Sequence, residues 1–492
     1  MASKIAVFRA DASPVLGGGH VARCLSLADA LAAEGWDCRF VVGPDSLRTV
    51  PHLARYAVTV LAPHQLTDPQ VVRTLFLDGC ALAVIDHYQL DAVYESGLKG
   101  WAERILVIDD LANRNHDCDA LLDPTLGATQ ALYTGRVPSA CQMLLGADYA
   151  LLKSRFFRLR PAALVRRDKA RGELRRVLVN MGATDPVNAT LPVLQALETL
   201  DLVIQIDVVM GGAAPYLPQV RDYVAGHADR ISLHVQTDQM AELMAGADLA
   251  VGAGGGASWE RCCLGLPSLS LVIADNQRFV AQALQSAGAS LTVTLENVAT
   301  EVGRLASNAA VLVEMGNRAA LLCDGLGASR AITDLFAVPD RSGKPVTLRR
   351  ATQADGEVML DWQSHPVTRA FARNSQSPTP EEHFAWLNRR LNSPQTLLCM
   401  IEADGQPVGV TRLDPPDADG LREVSIYLAP SVHGGGIASA ALRQLRRLDR
   451  CSTFKATVLE GNEASLKLFV GAGYRRRPDG WFILAAPEED TA

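Results

Sequence analysis

The sequence lacks the features that mark a membrane protein, a secreted protein or a nucleic-acid-binding protein. No apolar run reaches the ~18 residues that a transmembrane helix needs, and the first residues do not form a signal peptide. No long basic run is present, and the formal net charge of −7 disfavours binding to nucleic acid. We therefore expect a cytoplasmic protein that binds neither membranes nor nucleic acid.

The cysteines show no metal-binding pattern. All ten are scattered, without a C-x-x-C pair or the Cys/His spacing of a zinc site. This distribution predicts reduced thiols and no bound metal. The adjacent Cys262 and Cys263 form either a redox-active pair or part of a hydrophobic core, and we expect the core. The P-loop pattern G-x-x-x-x-G-K-[ST] is also absent, which argues against a kinase or an ATPase.

The 492 residues, 48% of them hydrophobic, suffice for about three domains of roughly 150 residues each. Over residues 1–160, short apolar runs that are typical of buried strands alternate with helical stretches. The predicted strands are Ile5–Phe8, Cys38–Val42, Val58–Leu61, Leu82–Ile85, Ile105–Ile108 and Met143–Leu145. This alternation predicts an α/β domain with a mostly parallel sheet, whose ligands bind at the carboxyl ends of the strands.

A second alternation of strands and helices follows over residues 161–335. Residues 158–173 at its start are rich in arginine and lack an apolar period, and we interpret them as a crossover. The predicted strands are Val177–Val179, Val203–Met210, Ile231–Val235, Leu249–Val251 and Ser268–Val272. Two α/β halves of similar size predict a GT-B-like pair of Rossmann-like domains, whose cleft usually binds a nucleotide sugar.

The loop at residues 9–23 connects the first predicted strand to an amphipathic helix, and it contains three consecutive glycines at 17–19. Glycines at a helix N-terminus let backbone N–H groups approach an anionic ligand. His20 follows them, where the helix field favours a neutral imidazole that can act as a base. A glycine-rich turn with a capping histidine is the alternative. The charged residues that favour a site are Arg9, Asp11 and Arg23.

Polar clusters follow two further predicted strands of the first half. Asp86, His87 and Tyr88 come after one strand, and Asp109 and Asp110 come after another. Because the carboxyl ends of parallel strands lie at one edge of a sheet, these clusters fall where a ligand would bind. Capping of the strand ends explains them equally well, so both interpretations stay open here.

The second half carries two loops of small residues that each follow a strand and lead into a helix. Residues 180–188, which include Asp185 and Asn188, are expected to contact phosphate or sugar. The glycine run in residues 252–260 has backbone amides and a helix dipole that could hold a diphosphate. Glu260, one turn into that helix, could accept hydrogen bonds from the two ribose hydroxyls. Asn276 and Gln277 form a further polar strand end.

The pattern changes after residues 336–345, which we interpret as a linker. Asp404 and Gly405 indicate a hairpin between two strands. A strand at 423–428 then runs into a loop at 433–438 that contains three glycines and precedes a helix. Residues 346–486 are therefore expected to form a separate α+β domain.

Four motifs in residues 1–335 are shared with one family. They are R-A-D-A-S…G-x-G-H-x-x-R-C-L-x-L-A at 9–28, I-D-D-L-A-N-R at 108–114, D-P-V-N-A-T at 185–190 and G-A-G-G-G-A-S-W-E-R-C-C-L-G-L-P at 252–267. With these motifs, the region resembles the UDP-2,4-diacetamido-2,4,6-trideoxy-β-L-altropyranose hydrolases of pseudaminic acid biosynthesis. The resemblance implies a metal-independent hydrolase that releases UDP from C1 of a diacetamido sugar, with His20 as the base that activates water.

We assign residues 254–258 to the diphosphate, Glu260 to the ribose, and Asn276 and Gln277 to the nucleotide or the sugar. The glycines at 17–19 would line the sugar and phosphate side of the cleft. The expected substrate-binding residues are Arg9, Asp11, Gly17, Gly18, Gly19, Arg23, Asp86, His87, Tyr88, Asp185, Asn188, Gly254, Gly255, Gly256, Ser258, Glu260, Asn276 and Gln277.

Residues 346–486 resemble the GNAT acetyltransferases. The family's acetyl-CoA loop, Arg/Gln-x-x-Gly-x-Gly/Ala, corresponds to residues 433–438, and its N-x-x-S-x-x-L-Y-x-x-x-G-F/Y signature corresponds to residues 462–474. The resemblance implies that acetyl-CoA is a co-substrate. Its expected contacts are His433, Gly434, Gly435, Gly436, Ile437, Ala438, Asn462 and Ser465.

The second signature departs from the family at one position. Phe469 replaces the tyrosine that often protonates the departing thiolate, so water, His433 or another group would have to act as the acid, or the domain is slow or inactive. Glu423 is a candidate base that would act through water.

The fusion of the two regions predicts a bifunctional enzyme. In the pseudaminic acid pathway, an N-acetyltransferase acetylates the 4-amino group of the UDP-sugar immediately before the hydrolase step, so a tethered GNAT domain would supply the substrate at raised effective concentration. One alternative is a UDP-sugar glycosyltransferase of GT-B type. Another is that the GNAT region is a degenerate module for ligand binding or dimerisation.

Overall fold

The computed structural model describes residues 4–432 and 434–487, so His433 of the expected acetyl-CoA loop lies outside the described residues. The chain divides into two compact units, Met1–Ala328 and Ser329–Ala492. Residues 336–345, interpreted above as a linker, belong to the second unit and include the short strand Val338–Pro339.

A parallel sheet forms the first half of the first unit, as the alternating pattern predicts. The elements in chain order are β1 (Ile5–Ala10), α1 (Gly19–Ala32), β2 (Asp37–Val42), α2 (Ser46–Thr49), β3 (Ala57–Val60), α3 (Pro69–Leu75), β4 (Leu82–Asp86), α4 (Ala92–Ser96), β5 (Ile105–Ile108), β6 (Ala120–Asp123), β7 (Gln142–Leu145) and α5 (Ser154–Ala170). Seven strands pair in the order β3-β2-β1-β4-β5-β6-β7. The central strands are apolar along their length because both faces of the sheet are covered.

A second parallel sheet forms the rest of the first unit. Its elements are β8 (Arg176–Asn180), α6 (Thr190–Glu198), β9 (Gln205–Met210), α7 (Leu217–Ala225), β10 (Ile231–Val235), α8 (Met240–Gly246), β11 (Leu249–Ala253), α9 (Ala257–Cys263), β12 (Ser268–Leu271), α10 (Arg278–Ser286), β13 (Ser290–Val293), α11 (Val298–Ala306) and α12 (Ala309–Leu322). The next helix, α13 (Gly327–Leu335), begins at the end of the first unit, and most of its residues belong to the second. The strand order is β10-β9-β8-β11-β12-β13. The predicted pair of Rossmann-like halves is thereby confirmed.

Each sheet has a point where the strand order changes direction. In the first sheet this point lies between β1 and β4, where Ala10 pairs with Asp86. In the second sheet it lies between β8 and β11, where Asn180 pairs with Gly252. Ligands of open parallel sheets bind in the crevice outside the carboxyl ends of such strands. The loops that follow these four strands are therefore the structural candidates for a site.

The arginine-rich crossover is mostly helix α5. Arg160, 3% exposed, donates to the backbone carbonyls of Ala320 at 2.6 Å and Cys323 at 3.0 Å, and also to that of Cys263. Arg167 donates to the carbonyls of Met244 at 2.7 Å and Leu264 at 2.9 Å. The last carbonyls of a helix lack intrahelical partners, so α5 uses these arginines to cap the C-terminal ends of α8, α9 and α12.

The cysteines take part in no disulfide. All ten are free, and Cys262 and Cys263 are buried in the hydrophobic core of the second sheet, as the sequence predicts. Within residues 4–432 and 434–487, no helix combines the length and the apolar character that crossing a membrane requires.

A mixed sheet organises the second unit, which confirms the predicted α+β domain. After α13 come β14 (Val338–Pro339), β15 (Pro345–Arg350), α14 (Gly356–Ser364), α15 (Pro366–Arg369), α16 (Pro380–Leu391), β16 (Leu397–Ala403), β17 (Gln406–Leu413), β18 (Arg422–Leu428), α17 (Ile437–Leu448), β19 (Phe454–Ala456), α18 (Glu463–Gly471), β20 (Arg475–Arg476) and β21 (Phe482–Leu484). The strand order is β14-β15-β16-β17-β18-β19-β21-β20, with β18 and β19 parallel.

Candidate functional site

A buried histidine–aspartate pair lies at the point where β1 and β4 meet. His20 is the second residue of α1, and Asp86 is the last residue of β4. The Nδ1 atom of His20 is 2.5 Å from Oδ1 of Asp86, and neither side chain is more than 6% exposed. Among the described residues, no group hydrogen-bonds the other ring nitrogen, Nε2. The carboxylate therefore favours the tautomer with a proton on Nδ1, which leaves the Nε2 lone pair available as a base.

Arg23 holds the same carboxylate from the next turn of α1. Its Nε and Nη2 atoms donate to the two oxygens of Asp86 at 2.6 and 2.7 Å, and its Nη1 atom donates to Asp110 at 2.7 Å. Burial acts to raise the pKa of Asp86, but Arg23 and His20 outweigh it and hold that pKa well below its usual range. Asp86 is therefore a fixed anion that orients His20.

A second ion-paired group lies beside the first. Arg9, at 2% exposure, donates to both oxygens of Asp11, and His87 Nε2 lies 3.1 Å from Asp11 Oδ2. Burial acts to raise the pKa of Asp11, but hydrogen bonds from His87 and Arg9 outweigh it and hold the pKa well below its usual range. The Nδ1 atom of His87 accepts a hydrogen bond from the backbone N–H of Gln89. Both nitrogens of His87 are thus occupied, which distinguishes this histidine from His20.

Tyr88 connects the two halves of the first unit. Its ring lies edge-on to the His20 ring, with centroids 4.4 Å apart, and its hydroxyl is hydrogen-bonded by the side chain of Asn276. Burial raises the pKa of Tyr88 to about 12, so the hydroxyl remains protonated near neutral pH. The structure therefore brings together the predicted residues His20, Tyr88 and Asn276 from distant parts of the sequence.

Asp185 of the first small-residue loop has a structural partner. Its two carboxylate oxygens accept hydrogen bonds from the backbone N–H groups of Ala189 and Thr190 at 2.9 and 2.8 Å, at the start of α6. Its side chain is buried, so its contacts are those of a helix cap. In the same loop, the buried Oδ1 atom of Asn188 has no hydrogen-bond partner within the described chain. Of these two predicted contacts, Asn188 is the one with a free acceptor.

The glycine run between β11 and α9 leaves space along the backbone. A Cβ atom on Gly256 would meet nothing within 4 Å, whereas one on Gly252 would lie 2.5 Å from the backbone oxygen of Asn180. The Ser258 side chain is buried, and its hydroxyl accepts a hydrogen bond from Arg261 at 2.8 Å. The accessible part of this loop is therefore its backbone at residues 255 and 256.

Gln277 and Glu260 flank this loop. The Gln277 side chain accepts a hydrogen bond from the backbone N–H of Ile273, and its amide nitrogen lies next to Gly255. Burial raises the pKa of Glu260 to about 7, although Lys153 and Arg261 oppose the shift. Glu260 is consequently close to its titration point at neutral pH.

Sequence reasoning missed some features of this unit. The sequence marks Asp110 only as part of a strand-end cluster, whereas in the structure it forms an ion pair with Arg23. A cavity of about 260 Å³ also opens between loops of the two halves. Its lining includes Thr184, from the predicted loop at 180–188, together with Arg48 and Gln236. No periodicity or motif marks Arg48 and Gln236, because they join Thr184 only through the packing of loops.

Metal ligands do not cluster in the described part of the chain: no group of three or more His, Cys, Asp or Glu side chains there has the arrangement of a metal site.

The second unit contains a large cavity where its sheet opens. The parallel strands β18 and β19 pair at only two positions, Arg422 with Phe454 and Glu423 with Lys455, and then separate. The cavity there has a volume of about 850 Å³. Seven of the eight expected acetyl-CoA contacts line it, the eighth being His433; they are Gly434, Gly435, Gly436, Ile437, Ala438, Asn462 and Ser465.

The loop before α17 has the backbone that close approach to a ligand requires. Gly434 and Gly436 have positive φ angles of 78° and 82°, which residues with a Cβ rarely adopt. Asn462 caps α18 by accepting a hydrogen bond from the backbone N–H of Ser465 at 2.9 Å. Each of these loops precedes a helix, and residues of both loops line the same cavity. Backbone N–H groups at helix N-termini suit the phosphates of a nucleotide such as acetyl-CoA.

Two residues of the predicted acetyl-transfer chemistry have defined environments. Phe469 lines the cavity and packs edge-on against Tyr474, with ring centroids 5.0 Å apart, so this position supplies no proton donor. Glu423 forms an ion pair with Arg373, which also donates to Thr457 Oγ1 at 2.8 Å. Glu423 is therefore held by a cation at the point where β18 and β19 begin to separate.

Comparison with known proteins supports the division seen in the structure. Residues 346–475 match the family model of the acetyltransferase (GNAT) domain. An uncharacterized protein of Methanocaldococcus jannaschii is 22% identical over 97% of this chain and 98% of its own length. The UDP-2,4-diacetamido-2,4,6-trideoxy-beta-L-altropyranose hydrolase of Campylobacter jejuni is 26% identical over 48% of this chain and 80% of its own length.

Among solved structures, MurG of Acinetobacter baumannii is 15% identical, with a TM-score of 0.48, and the match covers 68% of this chain and 99% of that protein. The sequence comparisons agree with the motifs of both parts of the chain. The chain thus joins a region homologous to UDP-2,4-diacetamido-2,4,6-trideoxy-beta-L-altropyranose hydrolase to a GNAT acetyltransferase domain.

Proposed function

We propose that the first unit hydrolyses a UDP-2,4-diacetamido-2,4,6-trideoxyhexose to UDP and the free sugar, as a step of pseudaminic (nonulosonic) acid biosynthesis. The observation that carries this proposal is the buried pair of His20 and Asp86 at the point where β1 and β4 meet, with no described residue bonded to Nε2 of His20. The relationship to the Campylobacter jejuni hydrolase supports the choice of substrate.

In the proposed reaction, Nε2 of His20 takes a proton from water while the water oxygen bonds to C1 of the sugar. The bond between C1 and the oxygen of UDP breaks, and its electron pair leaves with UDP. Asp86 stabilises the imidazolium that forms, and Arg23 holds Asp86 in place. Because UDP is a good leaving group, a positioned water, a base and donors for the phosphates are sufficient.

The second sheet supplies the nucleotide side of this proposed site. The backbone at residues 254–256 would donate to the diphosphate, and Glu260 would accept hydrogen bonds from the ribose. Tyr88 and Asn276, which lie together, would contact the sugar or the nucleotide, as would Gln277. Asp185 and Ser258, whose polar atoms are used within the protein, would shape the loops.

The test is incubation of the purified protein with the UDP-diacetamido sugar in ¹⁸O-labelled water without an acceptor. We expect free sugar and UDP in equal amounts, with the label on C1 of the sugar. A label on UDP would place the cleavage at phosphorus and contradict the proposed role of His20. Turnover only after addition of an acceptor sugar would identify a glycosyltransferase instead.

We further propose that the second unit transfers the acetyl group of acetyl-CoA to the 4-amino group of the preceding UDP-4-amino sugar. The cavity between β18 and β19 and the glycine loop at its mouth support acetyl-CoA as the co-substrate. Gly434–Ala438 would hold its phosphates, and Glu423 would take the amine proton through water. Water or His433 would protonate the thiolate, since Phe469 has no hydroxyl.

Gly436→Trp tests whether the two activities are independent. A Cβ on Gly436 would lie 2.8 Å from Cγ of Arg341, and its φ of 82° disfavours any side chain. We expect this variant to lose acetyl-CoA binding, measured by calorimetry, while UDP-sugar hydrolysis is retained. Loss of both activities in this variant would contradict the independence of the two units. If the wild-type protein does not turn over acetyl-CoA, the second unit is a degenerate module.

A further inference from the structure

Three buried donor groups in the wall of the cavity between β18 and β19 have no acceptor among the described residues. They are the Nε–H groups of Arg369 and Arg412 and the hydroxyl of Tyr427. Most buried polar atoms of folded proteins have a hydrogen-bond partner. Three unpartnered donors around one cavity therefore indicate a ligand that brings acceptors.

The charge around these donors is positive. The Arg369 guanidinium donates only to the backbone carbonyls of Asn374 and Gln376, and no carboxylate of the described chain pairs with it. Arg412 shares the carboxylate of Asp414 with Arg390, at distances of 2.9 and 3.2 Å. A cavity wall with more guanidinium than carboxylate groups favours an anion.

Tyr427 adds a donor that keeps its proton. Burial raises the pKa of its hydroxyl above the usual range, although the nearby Arg369 and Arg412 oppose the shift. Two guanidinium groups and a protonated phenol suit an oxyanion such as a phosphate, whose oxygens accept hydrogen bonds.

The three donors belong to α15, β17 and β18 and not to the glycine loop that precedes α17. Tyr427 pairs with Val410 across β17 and β18, and Arg412 pairs with Ser425, so these side chains share one face of the sheet. Tyr427 and Val410 pack into the hydrophobic cluster that contains Trp362 and Leu387, from α14 and α16. A different cation, Arg341, lies beside the glycine loop, where its backbone N–H donates to the carbonyl of Gly435.

We propose that Arg369, Arg412 and Tyr427 bind a phosphate group of the acetyl acceptor, so that the second unit acetylates an amine that carries a phosphate or diphosphate. This inference rests on the proposed acetyltransferase function and identifies how the acceptor is selected. In the UDP-4-amino sugar, the diphosphate is the group that these donors would hold.

The test compares two acceptors in the full chain: the UDP-4-amino sugar and the same amino sugar without UDP. Acetyl transfer is followed by release of the CoA thiol. Because a hydrogen bond to a charged group contributes about 1.5–3 kcal/mol, we expect Arg369→Gln and Tyr427→Phe to raise the KM of the UDP-linked acceptor about 10- to 100-fold. The KM of acetyl-CoA and the kinetics of the free amino sugar should not change.

Two control variants define the specificity of this effect. Arg389→Gln removes an exposed arginine of α16 and should leave all parameters unchanged. Arg341→Gln should raise the KM of acetyl-CoA and leave that of the acceptor unchanged. If Arg369→Gln or Tyr427→Phe weakens both acceptors equally, or weakens acetyl-CoA instead, the proposed phosphate site is wrong.

Binding of inorganic pyrophosphate gives a measurement that does not depend on turnover. Calorimetry with saturating acetyl-CoA should show a binding event in wild type that Arg369→Gln removes, whereas any site in the first unit contributes equally to both proteins. If a simple carboxylate such as citrate binds at this site and pyrophosphate does not, the assignment to phosphate is wrong. If no UDP-amino sugar is acetylated but wild type still binds pyrophosphate and Arg369→Gln does not, the proposed acceptor is wrong and the proposed anion site is retained.

Discussion

The two halves of the first unit have the same strand order around the switch point but place different chemistry there. In the first half, the loops after β1 and β4 bring charged side chains together, among them Asp11, Asp86 and His87. In the second half, the loops after β8 and β11 bring mainly glycine and backbone. A single strand arrangement thus provides one site rich in ionised side chains and one rich in open backbone.

This difference suits the first half to chemistry and the second half to ligand binding. The side chains of the first half are held by short ion pairs, so their positions are set before a substrate arrives, and such preorganisation favours catalysis. The glycines at 255 and 256 leave room for a ligand to reach backbone N–H groups, which favours binding of phosphate. Substitutions in the two halves should therefore change different kinetic parameters.

The largest expected effect is that of His20→Ala. Removal of a general base lowers kcat by about 10²–10⁴-fold, and the affinity for UDP, measured by calorimetry, should stay close to wild type. The exposed His52 provides a matched control, since His52→Ala should leave hydrolysis unchanged. Retention of more than about a tenth of the wild-type kcat would exclude His20 as the base.

Asp86→Asn should have the next largest effect. The amide cannot stabilise the imidazolium, so we expect kcat to fall about 10²-fold, and the loss of a fully buried partner of Arg23 should lower the unfolding free energy by about 3–5 kcal/mol. Initial-rate assays measure the fall in kcat, and urea unfolding measures the loss of unfolding free energy. Asp110→Asn is a milder comparison because this carboxylate is partly exposed. Equal kcat losses in both variants would contradict the special role of Asp86.

Gly256→Ala should change binding rather than chemistry. Its φ of −55° suits alanine, and the new methyl group would meet no protein atom within 4 Å, so the fold should be retained. The methyl group would occupy space beside the proposed diphosphate, and we expect the KM of the UDP-sugar to rise about tenfold at unchanged kcat. Gly252→Ala, whose Cβ would meet Asn180, should instead lower the melting temperature. A fall in kcat for Gly256→Ala would contradict the assignment of chemistry to the first half and binding to the second.

The smallest expected effect concerns the pH dependence of stability. Burial raises the pKa of Glu260 to about 7, so the folded state binds this proton more tightly than the unfolded chain. The stability associated with Glu260 is complete below the usual pKa of glutamate and is lost as the pH rises through 7. Glu260→Gln cannot ionise, so the difference in melting temperature between about pH 5 and about pH 8 should shrink by a few degrees. An unchanged profile would show that Glu260 is not in a desolvated environment.

Much of the fold follows from the sequence because buried parallel strands are continuous apolar runs. The pattern predicts β1, β4, β5 and β11, whereas it misses β6, whose four residues end in an aspartate, and β13, where Ser290 and Thr292 break the apolar run. The same limit applies to β14, which has only two residues. Such short elements depend on neighbours that are distant in sequence.

The sequence motifs name the residues of the candidate site, but they do not give the contacts among them. The motif at residues 9–28 identifies His20, yet its pairing with Asp86 spans 66 positions and is visible only once β1 and β4 are adjacent. Asp185 and Ser258 look like ligand contacts because polar residues in glycine-rich loops often are. Their hydrogen bonds to α6 and to Arg261 depend on three-dimensional geometry that spacing does not contain.

The capping arginines of α5 have a consequence for dividing the protein into fragments. The predicted boundary between residues 160 and 161 falls inside this helix. A fragment that begins at Pro161 would lose Arg160, and with it the donors to the carbonyls of Ala320 and Cys323. Expression of the second half alone should therefore begin before Ser154, and limited proteolysis of the intact chain should spare the peptide bonds of α5.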